Sequence, residues 1–443
     1  MPAEYKRYIM SKFTITEIAV NEKYNKFIPW LICSIGAAFY CYEYLLRIAP
    51  SVMTTELMQT YHLTAGQLGD LTAFYYYAYT PLQLIIGMLM DRYGPRHLLM
   101  LACSACAIGA FIFAGNHNIY LAELSRFLVG FGSAFAFVGA LKLATIWLPP
   151  ERFAVISGMI TTLGMVGAMA GDITLTKFVN AYGWRSTTFM SAWLGVILVI
   201  IIFLFVHDKV KVKTRKQSIY TPELTFKQVF IGLAKCAKNP YLWIVGIMGS
   251  FLYLPISAFA ELWGIPYLTQ AHHLPSTSAA STISMIFLGW AIGAPLAGWI
   301  SDITQQRKLP IMIGSILAII AICIVLYVPN LSSISLHIWL FIFGVLTSVE
   351  IIVFAIGREV SPNRFAGTAI ALTNAFIMLG GALFQPIIGI LLDSRWNGKI
   401  WHGIHFYSIQ NYQFALSVLP IGLFIVFLLS FFLRETHCHV LNS

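Results

Sequence analysis

Charge is what this sequence has least of. Of its 443 residues only 10% are Asp, Glu, Lys or Arg, against 58% hydrophobic residues and a mean hydropathy of +0.76. A soluble globular chain carries roughly 25% charged residues, so a water-facing surface cannot be built from this composition, and the same numbers exclude disorder. Cysteine is sparse as well: seven, an odd number, mostly inside apolar runs. Cys103 and Cys106 form a C-x-x-C without a second pair, and His437-Cys438-His439 and His402/His405 stand alone, so packing is expected of them rather than metal or redox work. The chain also lacks G-x-x-x-x-G-K-[ST], H-E-x-x-H and G-x-S-x-G. No metal, no cofactor and no enzymatic activity are expected.

What is abundant is long apolar runs. A helix crossing ~30 Å of hydrocarbon needs about 20 residues, and twelve such runs are read at 27–49, 66–90, 97–115, 119–147, 153–180, 186–206, 241–269, 278–301, 309–328, 334–357, 365–392 and 412–433. Barrel strands would alternate apolar and polar residues over ~10 positions; Ile197–Val206 and Ile311–Val328 do not. The expected class is an all-α membrane protein. The net charge of +10 is a topology signal and not a nucleic-acid footprint. With the amino terminus inside, 21 Lys and Arg fall in cytoplasmic segments and 4 outside, which is the positive-inside bias with both termini cytoplasmic. Residues 1–26 are polar and charged, without the apolar core of a signal peptide. The expected partner is the lipid bilayer.

One long hydrophilic stretch divides the chain. The sequence reads as a cytoplasmic segment 1–26, a six-helix bundle 27–206, a linker 207–240 with a lysine-rich run and an amphipathic stretch, a second six-helix bundle 241–433, and a cytoplasmic tail 434–443. The halves repeat. Gly87-Met-Leu-Met-Asp91 corresponds to Gly298-Trp-Ile-Ser-Asp302 at an offset of 211, and Pro150-Glu-Arg152-Phe-Ala to Pro362-Asn-Arg364-Phe-Ala at 212. Duplicated units of this kind build transporter folds with a midplane site between the halves.

The stretch Gly87-x-Leu89-x-Asp91-Arg92-x-Gly94-x-Arg96 resembles the cytoplasmic signature between helices two and three of the major facilitator superfamily. Arg126-x-x-x-Gly130-x-Gly132-Ser133-Ala134 resembles its fourth-helix signature, and the repeated P-x-R-F-A sits where its members begin helices five and eleven. More narrowly, Tyr42–Arg47 with Ala49-Pro50-Ser51, and Ala260–Gly264, are similar to the proteobacterial intraphagosomal nutrient transporters (Pht-type), associated with amino acids and nucleosides. The resemblance implies two pseudo-symmetric six-helix bundles, a bacterial inner-membrane location, proton coupling, action as a monomer, and a cavity lined by helices 1, 4, 7 and 10. It also implies a gating set of Gly87, Asp91, Arg92, Gly94, Arg96, Arg152, Asp302 and Arg364. In physical terms, Gly87 allows close helix approach, Gly94 a tight turn, Asp91 accepts N–H groups from a helix amino end, and the arginines bridge acids or helix carboxyl ends. The second copy lacks Arg-x-Gly after Asp302, with Arg307-Lys308 arriving later, so a symmetric role for Asp302 is not expected.

Charges inside a membrane helix cost from ~2.5 to more than 10 kcal/mol and mark function. Glu43, Arg47, Arg126, Lys142, Glu261 and Glu350 all fall on spans 1, 4, 7 and 10; Asp172 lies in span 5. Glu43 and Arg47 are spaced to pair at i,i+4; alternatively Arg47 holds a solute carboxylate while Glu43 takes up a proton. Lys142 is expected to pair with Glu350, or to anchor solute. Glu261, beside Trp263 and Pro266, suits a broken-helix gate. Arg126 is expected to act on a nearby carboxylate, with Glu43, Asp172 and Glu261 as proton carriers in falling order of preference. Tyr75 and Tyr79 are one turn apart and suit stacking on a ligand, and Asn374 suits hydrogen bonding to solute or between helices. The expected function is proton-coupled uptake of a small polar, zwitterionic or carboxylate solute such as an amino acid or nucleoside. The alternatives are a siderophore or other polycarboxylate carrier, or a proton-antiport efflux pump. Efflux fits less well, because Gly158, Gly164, Gly167 and Gly171 lack the proline of the exporter signature and Asp172 interrupts it. A solute sensor without transport is a further class, opposed by the intact gating signature.

Overall fold

The computed structural model describes residues 27–148, 153–207, 226–362 and 365–440. The segment 1–26, Arg152, Arg364 and most of the linker lie outside the described residues.

The chain folds as two six-helix bundles. The first half holds α1 (Phe27–Ile48, continued by a 3₁₀ turn Ala49–Val52), a short α2 (Thr54–Tyr61), then α3 (Ala65–Leu82) and α4 (Ile86–Tyr93), which together make span 2. Spans 3 to 6 follow as α5 (Pro95–Gly115), α6 (Ile119–Trp147), α7 (Phe153–Tyr182) and α8 (Trp184–Phe205), and the linker contributes α9 (Phe226–Ala237). In the second half, span 7 is α10 (Pro240–Leu254), a π-helical segment Pro255–Trp263, and α11 (Gly264–His272). Spans 8 and 9 are α12 (Ser276–Thr304) and α13 (Lys308–Tyr327). Span 10 is α14 (Ser333–Thr347), a 3₁₀ turn Ser348–Glu350, and α15 (Ile351–Glu359). Span 11 is α16 (Ala366–Ser394), and after a hairpin of β1 (Ile400–Trp401) and β2 (Ile404–His405), span 12 is α17 (Ile409–Leu416) with α18 (Val418–Phe432). We call the two ends of the bundle the linker face and the hairpin face.

Helix starts are written in the sequence as Asn, Ser and Thr. Asn118, Asn239, Ser332 and Ser408 each accept a backbone N–H of the first turn, and Thr64 forms a capping box with Gln67. Gly94 has φ +77° and leads directly into Pro95 at the first position of α5, the tight turn that its place in the signature required. Among the described residues, eleven helices are long and apolar enough to cross a membrane. Span 2 is the exception, because Pro81 removes an N–H donor and the helix is interrupted at residues 83–85.

The halves meet where α3 packs on α16 and α7 on α12, while α4 packs on α5 and α6 of its own half. Small residues permit the closest approach at the hairpin face: a Cβ at Gly69 would strike the Gln385 carbonyl, and one at Gly389 the Ala65 carbonyl. At the linker ends of the same four spans, Gly87, Gly158, Gly298 and Gly367 have nothing among the described residues within 4 Å of a Cβ position. Gly87, expected to let helices approach, thus meets no neighbour among the described residues.

Candidate functional site

The centre of the molecule is an arginine in a tyrosine cage. Arg47 comes from the last turn of α1 and is 3% exposed. Its Nε lies 2.9 Å from the Glu261 carboxylate, and Nη2 donates to the hydroxyls of Tyr76 and Tyr253, each at 3.1 Å. Tyr76 in turn donates to Glu261. The guanidinium stands 5.2–5.9 Å from the ring centres of Tyr44, Tyr75, Tyr76, Tyr79 and Tyr253, within cation–π range. Because Arg47 and Tyr76 belong to the first half and Glu261 and Tyr253 to the second, this cluster is also a junction between the halves.

Each partner is placed by a local rule. Pro255 cannot donate to the helix ladder, and the backbone relaxes into π-helix through Trp263; Glu261 sits within that segment, fully buried apart from 2%. Trp263 donates to the Gln385 carbonyl at 3.1 Å, and Gln385 returns a bond to the Ser257 carbonyl at 2.6 Å, fixing the π-segment against α16. On α3, Gly130 of α6 lies against the Tyr75 carbonyl so closely that any Cβ would collide with it, which holds the tyrosine run in position.

The site corrects several expectations. Glu43 does not pair with Arg47: its Oε2 accepts the Tyr75 hydroxyl at 3.0 Å, while Arg47 is drawn across the interface to Glu261 and Tyr253, with Tyr76 of its own half beside them. Among the described residues Arg126 touches no carboxylate. It donates to the Leu46 and Arg47 carbonyls at 2.9 and 3.3 Å, satisfying the orphan carbonyls where α1 passes into 3₁₀ turn. Lys142 does not meet Glu350; it pairs with Asp91 at 2.5 Å within its own half, because both project at the linker face. Glu350 is 2% exposed in the 3₁₀ break of span 10 and has no hydrogen bond or ion pair among the described residues.

The remaining expected residues fall as follows. Asp172, fully buried, accepts the Ser51 hydroxyl at 3.3 Å. Tyr79 stacks on Tyr75, with centroids 5.6 Å apart and planes at 19°. Asn374 donates to Gln83 Oε1 at 3.0 Å, a second contact between halves. At the linker face, Arg96 donates to the Phe203 carbonyl near the end of α8, and Arg92 lies over the Tyr93 ring. Asp302 pairs with Arg307 at 2.7 Å, and Arg307 also binds Glu359 at 2.8 Å. Residues that sequence reading missed are Tyr76, Tyr253 and Gln83. Only their aromatic or amide character inside a span signalled them, and helical spacing gave no reason to prefer Tyr76 over its neighbours.

The family profile described as Major Facilitator Superfamily matches residues 33–385. The chain belongs to the major facilitator superfamily. Its relatives within that superfamily are distant. The membrane sensor protein UhpC of Salmonella typhimurium is 23% identical over 427 residues, covering 90% of this chain and 91% of that protein. The glycerol-3-phosphate transporter of Bacillus subtilis is 23% identical over 399 residues, covering 82% and 86%. Among solved structures, a bacterial homologue of the human lysosomal transporter Spinster, inward-facing and unoccupied, superposes with a TM-score of 0.76 at 16% identity, covering 92% of this chain and 98% of that one. A variant of the nucleoside transporter NupG gives 0.69 at 14%, covering 91% and 98%. These structures share the fold of this chain.

Proposed function

We propose that the protein is a secondary active transporter of the bacterial cytoplasmic membrane, taking up a small polar, zwitterionic or carboxylate solute with protons by alternating access. The observation that carries this reading is the Arg47–Glu261 pair, a buried ion pair of opposite halves inside a ring of tyrosines. A carboxylate arriving from the open side replaces Glu261 on Arg47. Glu261 is then without its counter-charge and takes either the cationic end of a zwitterion or a proton. Glu43, one turn from Arg47 and bonded to Tyr75, is the preferred proton acceptor, with Asp172 and Glu261 as the other two.

Alternation is supported by glycine placement. Glycine costs roughly 1 kcal/mol in a helix interior relative to alanine, and that cost is offset only where backbones touch. Gly66, Gly69 and Gly389 meet neighbours at the hairpin face, whereas Gly87, Gly158, Gly298 and Gly367 meet none among the described residues at the linker face; these four suit a second state closed on that side. Asp91 would then leave Lys142 for a helix amino end. The Lys and Arg bias assigns the linker face to the cytoplasm and both termini with it. Relatives named as transporters of glycerol-3-phosphate and of galactarate/D-glucarate in Bacillus subtilis point to anionic cargo, and NupG to nucleosides. The finer affiliation with Pht-type nutrient transporters rests on Tyr42–Arg47 and Ala260–Gly264 alone.

The test is purified protein in proteoliposomes with an imposed pH gradient, offered amino acids, nucleosides and polycarboxylates. Accumulation of one class against its gradient, abolished by Arg47→Ala, is expected; wild-type accumulation in that variant would remove Arg47 from the site. The similarity to the UhpC sensors favours a second reading, solute sensing without transport. Saturable binding with no accumulation selects it.

A further inference from the structure

The hairpin face carries a second junction between the halves, built from residues outside the central site. The amino end of α3 has its first-turn N–H groups divided between two sources. Gln67 N reaches Thr64 Oγ1 and Leu68 N the Thr64 carbonyl, both within the helix's own cap. Ala65 N and Gly66 N instead donate to the two oxygens of Asp393, at 3.2 and 2.8 Å, and Asp393 belongs to α16 of the other half. Tyr407, which follows the β-hairpin, closes the set: its hydroxyl donates to Asp393 and accepts Ala65 N at 3.1 Å. His405, stacked on Trp396 with centroids 3.6 Å apart, stands 3.8 Å from the same carboxylate.

We propose that Asp393 and Tyr407, gripping the amino end of α3, are the latch that holds the hairpin face shut, and that its release is the event that opens that face. Three observations converge on it. Asp393 lies in the last turn of its own helix, where the macrodipole disfavours an anion; the position makes electrostatic sense through the positive amino end of α3. The approach of the two backbones needs Gly69 and Gly389, since a Cβ at either would strike main-chain atoms of the opposite helix. The junction also has a counterpart across the internal repeat. Ala65 plus the offset of 211 is Ser276, the first residue of α12, and Ser276 accepts a 3.1 Å bond from Asn180, near the end of α7 in the other half. The end of a helix in one half therefore holds the start of a helix in the other at both places; only the Asp393 copy is charged.

This inference rests on the alternating-access reading and is tested apart from it. Spin labels at positions 117 and 333 report the hairpin face, and labels at 93 and 304 the linker face, in full-length protein lacking its native cysteines and held in nanodiscs. Pulsed dipolar spectroscopy of the parent should give one short separation at the hairpin face. Asp393→Asn should add a longer population there and shorten the linker-face separation; Asp393→Glu should restore the parent distribution in part, and Tyr407→Phe should shift it less than Asp393→Asn. Folding of each variant is checked by its melting curve. Folded Asp393→Asn with parent separations at both faces overturns the latch. Should that variant not fold, parent separations in Tyr407→Phe and Asp393→Glu overturn it equally. A solute that moves both label pairs in the parent, with no effect of Asp393→Asn, sinks the latch but leaves alternation standing. Label pairs that stay fixed under solute and pH gradient sink alternation itself.

Discussion

Arg47 has an acid, two phenols and several aromatic faces as partners at once, and the physics of buried pairs says what losing one of them does. Removing one member of a buried ion pair typically costs ~3–5 kcal/mol because a charge is stranded, while replacing both members by apolar groups is close to neutral. Glu261→Gln should therefore lower the thermal midpoint in detergent, and Arg47→Met with Glu261→Leu should recover most of it. Equal losses in the single and double variants would show that the pair is not the source of the cost. Uptake should be absent from both. Glu43→Gln keeps an oxygen for the Tyr75 hydroxyl and should retain solute exchange while losing accumulation driven by a pH gradient; full accumulation in this variant would move the proton to Asp172 or Glu261. At this scale the sequence revealed which spans hold charges, but not the pairings. Helical spacing offers Arg47 the nearby Glu43, and nothing local indicates that Glu261, more than two hundred residues on, will be the one to reach it. The same holds for Lys142, whose partner Asp91 sits on another helix of its own half.

Among elements, the carboxyl-terminal segment carries contacts that its sequence did not announce. Residues 434–440, expected as a cytoplasmic tail, are tied to the linker face of the second half. Glu435 accepts the backbone N–H groups of Arg307 and Lys308 at 2.8 and 2.9 Å, capping α13, and Thr436 donates to Glu359 at 2.6 Å beside the Arg307 cluster. Burial pushes the Glu435 carboxyl up, but the backbone N–H groups of Arg307, Lys308, His437 and Thr436 outweigh it and hold the carboxyl below its ordinary value of 4.5. A depressed folded value means the contribution is complete above the unfolded pKa and disappears as pH falls through the lowered one. Hydrogen exchange in the first turn of α13 should thus be insensitive to pH-linked undocking between pH 5 and 8, once intrinsic exchange rates are corrected for. It should accelerate in stronger acid, and Glu435→Ala should show the accelerated rate throughout. An unchanged rate in Glu435→Ala would mean the cap is idle. Span positions were legible to within a few residues because apolar length is a long-range average. The breaks inside spans were less so: a broken helix was expected beside Trp263 and Pro266, whereas the π-segment begins at Pro255, where α16 grips Ser257 and Trp263.

Over the whole molecule, the duplication read from two short motifs is realised as two bundles joined through spans 2 with 11 and 5 with 8. If opening the hairpin face is obligatory, a disulfide between Asn180→Cys and Ser276→Cys, whose native side chains are 3.1 Å apart, should reduce uptake to the level of empty vesicles and release it on reduction. Full-rate uptake by the oxidised protein would contradict rocking of the halves. The overall architecture was legible because hydrophobic length, charge bias and repetition are properties of segments. The closure of one face was not, since it depends on which small residues find neighbours. Span 2 has a consequence that concerns how the chain is made. With Gln67, Asp70, a tyrosine run, Pro81 and an interruption at residues 83–85, it is a poor candidate for partition from the translocon into lipid on its own merits. The nascent chain must therefore keep this segment sheltered until later helices emerge, so biogenesis is expected to depend on an insertase or chaperone more strongly than the average hydropathy suggests.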